Sequence, residues 1–177
     1  MVTEQSLKKI KAVALDIDGV LTDGSLVLLS DGDLLRVMNA KDSFAIRAAV
    51  RKGLIVAVIS GGQTEALRIR CLNLNIRPEN IFLGARGKLS IFRRFCEQNA
   101  LSPDEVMYFG DDIPDVQVLR ECGIGVAPAD AVPEAKEAAD IVSEYPGGGC
   151  CVRHGIEDLL KAQGKWVFDP DKFEQFY

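Results

Sequence analysis

The sequence predicts an α/β fold, a Rossmann-like parallel sheet with helices on both faces. Short apolar runs alternate with segments whose apolar residues recur at helical spacing, as in proteins built from βαβ units. The chain has 177 residues, of which 47% are hydrophobic and 27% are charged, a composition typical of globular proteins. We therefore expect one domain over residues 1–177, large enough to fold without a disulfide or a structural metal.

Six short apolar runs are the strand candidates. The run LIVAVIS has no polar face, which is typical of a strand that is buried on both sides of a sheet. In chain order the candidates are residues 11–17, 54–60, 79–84, 105–110, 123–128 and 139–143.

The segments between these runs are the predicted helices. Residues 88–99 show the pattern well, because Leu89, Phe92, Phe95 and Cys96 recur at helical spacing. Gly164 is the predicted C-cap of the last helix. Helices are expected at residues 44–52, 64–74, 88–99, 113–122, 134–138 and 152–163.

One piece breaks the alternation and predicts a β-hairpin after the first strand, over about residues 25–38. Two apolar runs, residues 25–30 and 33–38, are joined by Asp31-Gly32, a strong hairpin signal. The hairpin carries more apolar side chains than an isolated two-stranded hairpin can hide: Leu26, Val27, Leu28, Leu29, Leu34 and Leu35. We expect a subunit interface to cover them.

Charge and composition exclude several classes of function. The net charge is −5, from 21 Lys and Arg against 26 Asp and Glu. The sequence has no cluster of basic residues of the kind that binds nucleic acids, so we expect no nucleic-acid partner. No apolar stretch reaches the ~18 residues of a membrane span, and the first ten residues lack the apolar core of a secretory signal. Five cysteines without a CxxC pair indicate reduced thiols and a cytoplasmic protein, with Cys150 and Cys151 as small packing residues. The single histidine, His154, makes a Ser-His mechanism or a His-ligated metal improbable.

The last segment, about residues 165–177, is aromatic and acidic. Its aromatic residues are Trp166, Phe168, Phe173, Phe176 and Tyr177. Three roles stay open for it at this point: packing on the body of the domain, contact with a neighbouring subunit, or partial disorder.

The predicted chemistry lies at the carboxyl ends of the strands, where open parallel sheets form their functional crevice. Several carboxylates meeting at one edge repel each other unless a cation lies among them, and hard oxygen ligands without His or Cys suit Mg²⁺. Lys88 and Ser60 would add a positive charge and a hydrogen-bond donor, so the set suits phosphoryl transfer. The strand ends deliver Asp16, Asp18, Gly19, Ser60, Gly61, Gly62, Asp111, Asp112 and, one turn later, Asp115.

Without a suitable histidine, the nucleophile is sought among the carboxylates. Asp16 lies at the tip of the first strand and is the candidate for an aspartyl-phosphate. Asp18, two residues later, can protonate the leaving oxygen and then accept a proton from the hydrolytic water. Asp112 and Asp115 could instead be helix N-caps, Ser60 a strand-end cap, and Lys88 a solvated lysine.

These motifs resemble those of the haloacid dehalogenase superfamily, in order and over residues 11–166. DIDGVLTDG (residues 16–24) is similar to the first motif, VISGG (58–62) to the second, Gly87-Lys88 to the third and GDDIPD (110–115) to the fourth. The resemblance implies an Asp16 nucleophile and an Asp18 acid/base, with Mg²⁺ held by Asp16, the Asp18 carbonyl and Asp111. It also implies phosphate binding by Ser60, Gly61 and Lys88, with Asp112 and Asp115 as outer groups that orient metal waters or Lys88.

The resemblance narrows to the capless branch that contains the 3-deoxy-D-manno-octulosonate 8-phosphate (KDO 8-phosphate) phosphatases. No long insertion for a cap follows the first or the third motif, and MNAKDSFAI (38–46) and GGGCCVRHGIEDLLKAQGKW (147–166) support the match. This implies hydrolysis of KDO 8-phosphate in lipopolysaccharide sugar biosynthesis, by a homotetramer that associates through its hairpins.

Departures from the family pattern leave the sugar open. Gly62 and Gly149 stand where the family often has arginine, and Asp42-Ser43 stands where Asp-Gly is common. Compensation by Arg68, Arg70, Arg86 or a neighbouring subunit is one possibility, and a nonulosonate 9-phosphate such as KDN 9-phosphate is the alternative substrate. Two more distant alternatives are a receiver-like phosphoacceptor domain, in which the acceptor Asp would follow the third strand, and a non-catalytic scaffold.

Overall fold

A computed structural model describes residues 2–169 and 171, and it contains a six-stranded parallel sheet. The strands of the sheet are β1 (Ala12–Leu15), β4 (Ile55–Ser60), β5 (Ile81–Leu83), β6 (Val106–Phe109), β7 (Ile124–Ala127) and β8 (Ile141–Val142). Their spatial order is β5-β4-β1-β6-β7-β8, and every neighbouring pair is parallel. All six predicted strands are present, each shorter than its apolar run.

Helices cover both faces of this sheet, as the α/β prediction requires. One face is packed by α2 (Ala40–Arg51), α3 (Glu65–Asn73) and α7 (Cys151–Ala162), and the other by α4 (Lys88–Gln98), α5 (Val116–Glu121) and α6 (Pro133–Ala138). Strand β1 shows the consequence of this sandwich, since all four of its residues are fully buried. The predicted fold class is confirmed.

Strand β1 lies between β4 and β6 near the centre of the sheet, and this arrangement positions the site. Its residue Leu15 pairs in register with Val58 of β4 on one side and with Phe109 of β6 on the other. The residues that follow β1, β4 and β6 therefore emerge side by side at one edge of the sheet. Three motifs that are far apart in sequence are brought together in this way.

The predicted hairpin is present, although it is much shorter than the two apolar runs. β2 (Val27–Leu28) and β3 (Leu34–Leu35) pair antiparallel through the Asp31-Gly32 turn. Leu28 and Val37 keep 79% and 81% of their surface exposed. A ribbon that buries so little of its own apolar surface has little to hold a longer pairing together.

The structure differs from the sequence-based expectations at three places. A first helix, α1 (Glu4–Lys9), was not predicted, because it is short and mostly polar and buries none of its residues. α2 begins at Ala40 rather than residue 44, since the Asn39 side chain caps it by accepting from the Lys41 N–H. The predicted helix 113–122 divides into a 3₁₀ turn, Ile113–Asp115, followed by α5.

The described part of the aromatic tail packs on the body of the domain. The Trp166 and Phe168 rings lie 6.2 and 5.5 Å from the Phe44 ring, centroid to centroid. The rest of the predicted tail, residue 170 and residues 172–177, lies outside the described residues. Within the described ranges, no helix has the length and apolar character needed to cross a bilayer.

Candidate active site

Four elements of the core deliver polar groups to one edge of the sheet. Asp16 follows β1, Ser60 ends β4, Lys88 begins α4 and Asp111 follows β6 by two residues. Asp16, Ser60 and Lys88 are buried, at 6%, 1% and 7% exposure. Burial of charged groups is costly unless they pair or bind a cation, so this edge is specialised rather than solvated surface.

Lys88 is the positive centre of the edge. Its ammonium donates to Asp16 Oδ2 at 2.6 Å and to Asp115 Oδ1 at 2.7 Å, and only 6% of its side chain is exposed. Burial alone would lower the pKa of Lys88, but attraction to Asp16 and Asp115 and its hydrogen bonds to both raise it. The lysine is therefore a fixed cation and not a solvated first-turn residue.

Asp16 is buried with less compensation than its charge requires. Its Oδ1 accepts the Ile17 N–H at 2.7 Å, while its Oδ2 faces Lys88. Burial raises the pKa of Asp16 to about 6, because the opposing effect of Lys88 is incomplete and Asp115 repels it. A divalent cation next to this carboxylate would favour the ionised form that a nucleophile needs.

Asp111 provides the clearest indication that this cluster can bind a cation. Burial, together with repulsion from Asp16 and Asp115, raises its pKa to about 7. Its Oδ1 is buried and has no hydrogen-bond partner among the described residues. One carboxylate oxygen from each of Asp16, Asp111 and Asp115 lies within 4.8 Å of the others. This donor set fits Mg²⁺, which prefers carboxylate oxygens and keeps several water ligands.

Asp115 is committed to protein donors and so takes an outer place in the cluster. Its Oδ1 accepts from Lys88 and from the Tyr108 hydroxyl at 2.5 Å, and its Oδ2 accepts the backbone N–H groups of Asp111 and Asp112 at 3.3 and 3.4 Å. Asp115 thus accepts four hydrogen bonds from the protein, whereas Asp16 accepts two, one on each oxygen, and Asp111 retains a free oxygen. Tyr108 was not predicted as a site residue, because a buried tyrosine in an apolar strand looks like core.

Asp112 is not brought into the cluster. Its side chain is exposed and accepts the Ile113 N–H at 2.7 Å, as the N-cap of the 3₁₀ turn. This matches the alternative N-cap interpretation of Asp112 rather than a place beside the metal. Asp115, which shared that interpretation, holds Lys88 instead.

The loop after β4 forms the side of the site opposite the acidic cluster. Ser60 Oγ accepts the Gly62 N–H at 3.2 Å, and its hydroxyl proton is left for a ligand. Gly61 is exposed, and a Cβ added there would meet only the Ala85 carbonyl, at 3.9 Å. The loop is open enough for a phosphate to approach the backbone.

Asp18 has a partner that the sequence did not reveal. Arg36, which directly follows β3 in the hairpin, donates from Nε to Asp18 Oδ1 at 2.6 Å and from Nη2 to Asp18 Oδ2 at 3.0 Å. The two parallel bonds are the bidentate geometry that arginine forms with carboxylates. No pattern in the sequence links residues 18 and 36, since only the fold of the hairpin brings them together.

The backbone around Gly19 is closely packed on two sides. Gly19 has a φ of +85°, and a Cβ there would lie 1.9 Å from Asp111 Oδ2. On the other side, a Cβ on Gly147 would lie 2.0 Å from the Gly19 carbonyl oxygen, and the Gly148 N–H donates to the Val20 carbonyl at 2.9 Å. The glycine segment 147–148 thus supports the Asp16–Asp18 loop by direct backbone contact.

The chain is similar to known phosphatases over nearly its whole length. Residues 80–147 match the haloacid dehalogenase-like hydrolase family. The 3-deoxy-D-manno-octulosonate 8-phosphate phosphatase of Escherichia coli strain K12 is 37% identical over 158 residues, which cover 89% of this chain and 83% of that protein.

Solved structures agree with the sequence relationship. The cobalt-bound deoxy-D-mannose-octulosonate 8-phosphate phosphatase of Haemophilus influenzae has a TM-score of 0.89 at 33% identity, covering 97% of this chain and 99% of that one. The Moraxella catarrhalis phosphatase, in complex with a magnesium ion, a phosphate ion and KDO, has a TM-score of 0.88 at 28% identity and covers 97% and 95%. The chain therefore belongs to the 3-deoxy-D-manno-octulosonate 8-phosphate phosphatase family of the haloacid dehalogenase superfamily.

Proposed function

We propose that this protein is a Mg²⁺-dependent phosphomonoesterase that hydrolyses KDO 8-phosphate to KDO and phosphate. The observation that carries the proposal is the carboxylate cluster of buried Asp16, half-buried Asp111 and buried Asp115 beside Lys88, in which Asp111 Oδ1 has no partner among the described residues. Family relatives with the same activity in their names, one of them holding magnesium, phosphate and KDO, support the assignment. The whole chain would act as one phosphatase domain.

Asp16 is the nucleophile in this proposal. Its Oδ2 is fixed by Lys88 and its Oδ1 by the Ile17 N–H, so the carboxylate is held at the end of β1 before substrate arrives. Attack on phosphorus forms an aspartyl-phosphate and releases the sugar oxygen. The carboxylates of Asp16 and Asp111 and the backbone carbonyl of Asp18 would hold Mg²⁺. Bound magnesium neutralises the charge of the cluster and of the phosphoryl oxygens.

Ser60, Gly61 and Lys88 bind the phosphoryl group. The ammonium of Lys88 and the hydroxyl of Ser60 are both buried and lie at the ends of neighbouring elements, so they supply positive charge and a donor without reorganisation. Asp115 positions Lys88, and Tyr108 in turn donates to Asp115. Asp112 is left as an outer group that caps the following turn.

Asp18 is the general acid and base. It gives a proton to the leaving sugar oxygen and later accepts one from the water that hydrolyses the aspartyl-phosphate. Its side chain keeps 29% of its surface exposed, against 8% for the side chain of Asp16, so it borders the space where an alcohol would leave. The more buried Asp16 thus suits the role of nucleophile, and the more exposed Asp18 suits that of acid and base.

A homotetramer assembled through the hairpins completes the proposal. The hairpin exposes apolar side chains, among them Leu28 and Val37, and within residues 2–169 no long insertion forms a cap over the site. Contiguous exposed apolar surface of this kind marks interaction sites. The neighbours would enclose the substrate, and the protein would act in the cytoplasm, without a membrane or nucleic-acid partner, in lipopolysaccharide sugar biosynthesis.

The experiment is a phosphatase screen with magnesium. Phosphate release is measured from KDO 8-phosphate, KDN 9-phosphate, ribose 5-phosphate and p-nitrophenyl phosphate, and kcat/KM values are compared. We expect KDO 8-phosphate to be preferred by at least about tenfold, equivalent to about 1.4 kcal/mol. A preference for KDN 9-phosphate would make that ester the substrate in place of KDO 8-phosphate. If no ester released phosphate, the assignment as a phosphatase would be wrong.

The receiver-like alternative is not favoured. There the acceptor Asp would follow the third strand and the acidic pair the first, whereas here the DxDG segment follows β1 and Asp111-Asp112 follow β6. The scaffold alternative is not favoured either, because both Asp16 and Asp18 are present.

A further inference from the structure

Arg36 combines an exposed position in the chain with a buried side chain. Its neighbours Leu35 and Val37 are 54% and 81% exposed, yet only 6% of the Arg36 side chain is accessible. The guanidinium reaches inward from the hairpin and makes its two best hydrogen bonds with Asp18. Arg36 is therefore the hairpin residue that enters the site.

Gly62 provides the space that the guanidinium occupies. A Cβ added at Gly62 would lie 3.2 Å from Arg36 Nη2 and 3.6 Å from Ser60 Oγ. The guanidinium thus lies between the acid/base Asp18 and the phosphate loop after β4. A long side chain at position 62 would compete with the guanidinium for the same space. The position of Arg36 therefore depends on a glycine at residue 62.

We propose that Arg36 is a specificity-determining residue, which binds the carboxylate of the sugar-acid substrate and exchanges Asp18 for it when the substrate arrives. This inference rests on the proposed function. The bidentate bond to Asp18 shows that the guanidinium is already oriented for a carboxylate at this place. The exchange replaces one charge pair with another, so the buried cation is never left unpaired.

The position of Arg36 suits the leaving group rather than the phosphate. Asp18 is the residue that serves the leaving oxygen, so a group bonded to Asp18 lies beside the departing sugar. In the pyranose form of an octulosonic acid, the carboxylate and the side chain that ends in the phosphorylated hydroxyl are attached to the two carbons that flank the ring oxygen, so both lie at the same edge of the ring. The exchange also frees the Asp18 carboxylate from two hydrogen bonds. Asp18 can then take up a proton from solvent, turn toward the leaving oxygen and donate that proton to it.

The surroundings of Arg36 offer room for an anionic sugar. A cavity of about 360 Å³ lies between the hairpin and α3, lined in part by Arg36, Thr64, Leu67 and Arg70. Two of these lining residues are arginines, and Arg70 also donates to the Ser43 hydroxyl at 2.5 Å. A phosphate ester without a carboxylate would offer Arg36 no replacement for Asp18, and this difference is the basis of discrimination.

The test compares two substrates in Arg36→Gln and Arg36→Lys. For Arg36→Gln, kcat/KM for KDO 8-phosphate should fall about 10- to 100-fold, the loss expected for one charged hydrogen-bonded contact. The fall for p-nitrophenyl phosphate, which has no carboxylate, should be at least about tenfold smaller, and Arg36→Lys should recover part of the selectivity. Arg77→Gln, an exposed arginine that precedes β5 at the opposite edge of the sheet, is the matched control. Equal losses on both substrates in Arg36→Gln would overturn the proposal.

A binding measurement separates this inference from the proposed function. Calorimetric titration with KDO should give a Kd that is about 10- to 100-fold weaker for Arg36→Gln than for the parent protein, while the Kd of inorganic phosphate stays within about threefold. If both proteins bind KDO equally, Arg36 does not read the carboxylate, although the proposed function stands. If the parent protein neither binds KDO nor hydrolyses KDO 8-phosphate, the proposed function itself has failed.

Discussion

The catalytic edge of the sheet and the hairpin are built on opposite principles. At the edge, Asp16, Ser60 and Lys88 are buried, and β1 and β4, which position Asp16 and Ser60, are each paired with a strand on both sides. In the hairpin, two strands of two residues each carry exposed leucines, and few contacts of their own support them. One region is held together by contacts within the single chain, and the other leaves much of its apolar surface exposed.

This difference indicates a division of labour. Attack on phosphorus needs a rigid arrangement of charges, which the β1–β6 pairing provides within one subunit. Selection of a sugar needs a surface over the leaving group, and in our proposal the hairpin would supply it through Arg36 and its exposed apolar face. Changes at the edge should therefore abolish all turnover, whereas changes in the hairpin should alter the choice of substrate.

The largest effect is expected for Asp16→Asn. Because the amide cannot form the phosphoenzyme, kcat should fall by at least about 10⁴-fold for every ester, as measured by phosphate release. The fold should persist, since Asn keeps the size of the side chain and removes a buried charge. Asp23→Asn, an exposed position in the same loop, is the control. Turnover of Asp16→Asn within tenfold of the parent would exclude Asp16 as the nucleophile.

A smaller and more selective effect is expected for Leu28→Lys. A lysine at this 79% exposed position would place like charges on an apolar contact between hairpins. If the hairpins form the proposed interface, light scattering should show a lower molecular mass for the variant than for the parent protein, and the ratio of kcat/KM for KDO 8-phosphate over p-nitrophenyl phosphate should fall about tenfold. Val142→Lys, at a 48% exposed position on the edge strand β8, controls for added surface charge. An unaltered mass would show that the hairpin is not the interface, and equal losses on both esters would deny its role in selection.

The smallest effect is a pH-dependent stabilisation by magnesium. The pKa values of Asp16 and Asp111 are raised from 3.8 to about 6 and about 7, so their contribution to stability is full below about pH 3.8 and is lost as pH rises through those values. Magnesium binds the ionised carboxylates and should raise Tm by about 5–10 °C at pH 8, at about 100 times its Kd. The rise should be much smaller at pH 5, where protons compete.

Differential scanning calorimetry with and without a chelator measures this shift. Asp111→Asn should show little magnesium stabilisation at either pH, because it lacks the carboxylate with the free oxygen. An equal Tm rise for the parent protein at pH 5 and pH 8 would contradict the assignment of these two carboxylates as the metal site.

The fold was largely predictable because its strands are continuous apolar runs and its turns carry clear signals such as Asp31-Gly32. The composition of the catalytic edge was predictable for a similar reason, since parallel strands present their carboxyl ends together. The hydrogen-bond partners of the carboxylates at that edge were not predictable. The contact of Arg36 with Asp18 and the contact of Tyr108 with Asp115 depend on loop geometry and side-chain packing, which leave no periodic trace in the sequence.

The different environments of Asp112 and Asp115 could not be predicted from the sequence either. Both follow β6 within the same motif, yet one caps a turn at the surface and the other is fully buried against Lys88. The difference comes from the 3₁₀ turn Ile113–Asp115, where a regular helix was predicted. A change of helix type over three residues decides which carboxylate points into the core.

The close contact between Gly147 and Gly19 has a consequence for genetic studies of this enzyme. Position 147 carries no functional group and lies more than a hundred residues from Asp16 along the chain, yet any side chain there would press on the Gly19 carbonyl in the loop that follows β1. A saturation-mutagenesis scan scored by phosphatase activity should therefore rank it with Asp16 and Asp18. Intolerance at such a site would reflect the shape of a neighbouring loop and not participation in the reaction.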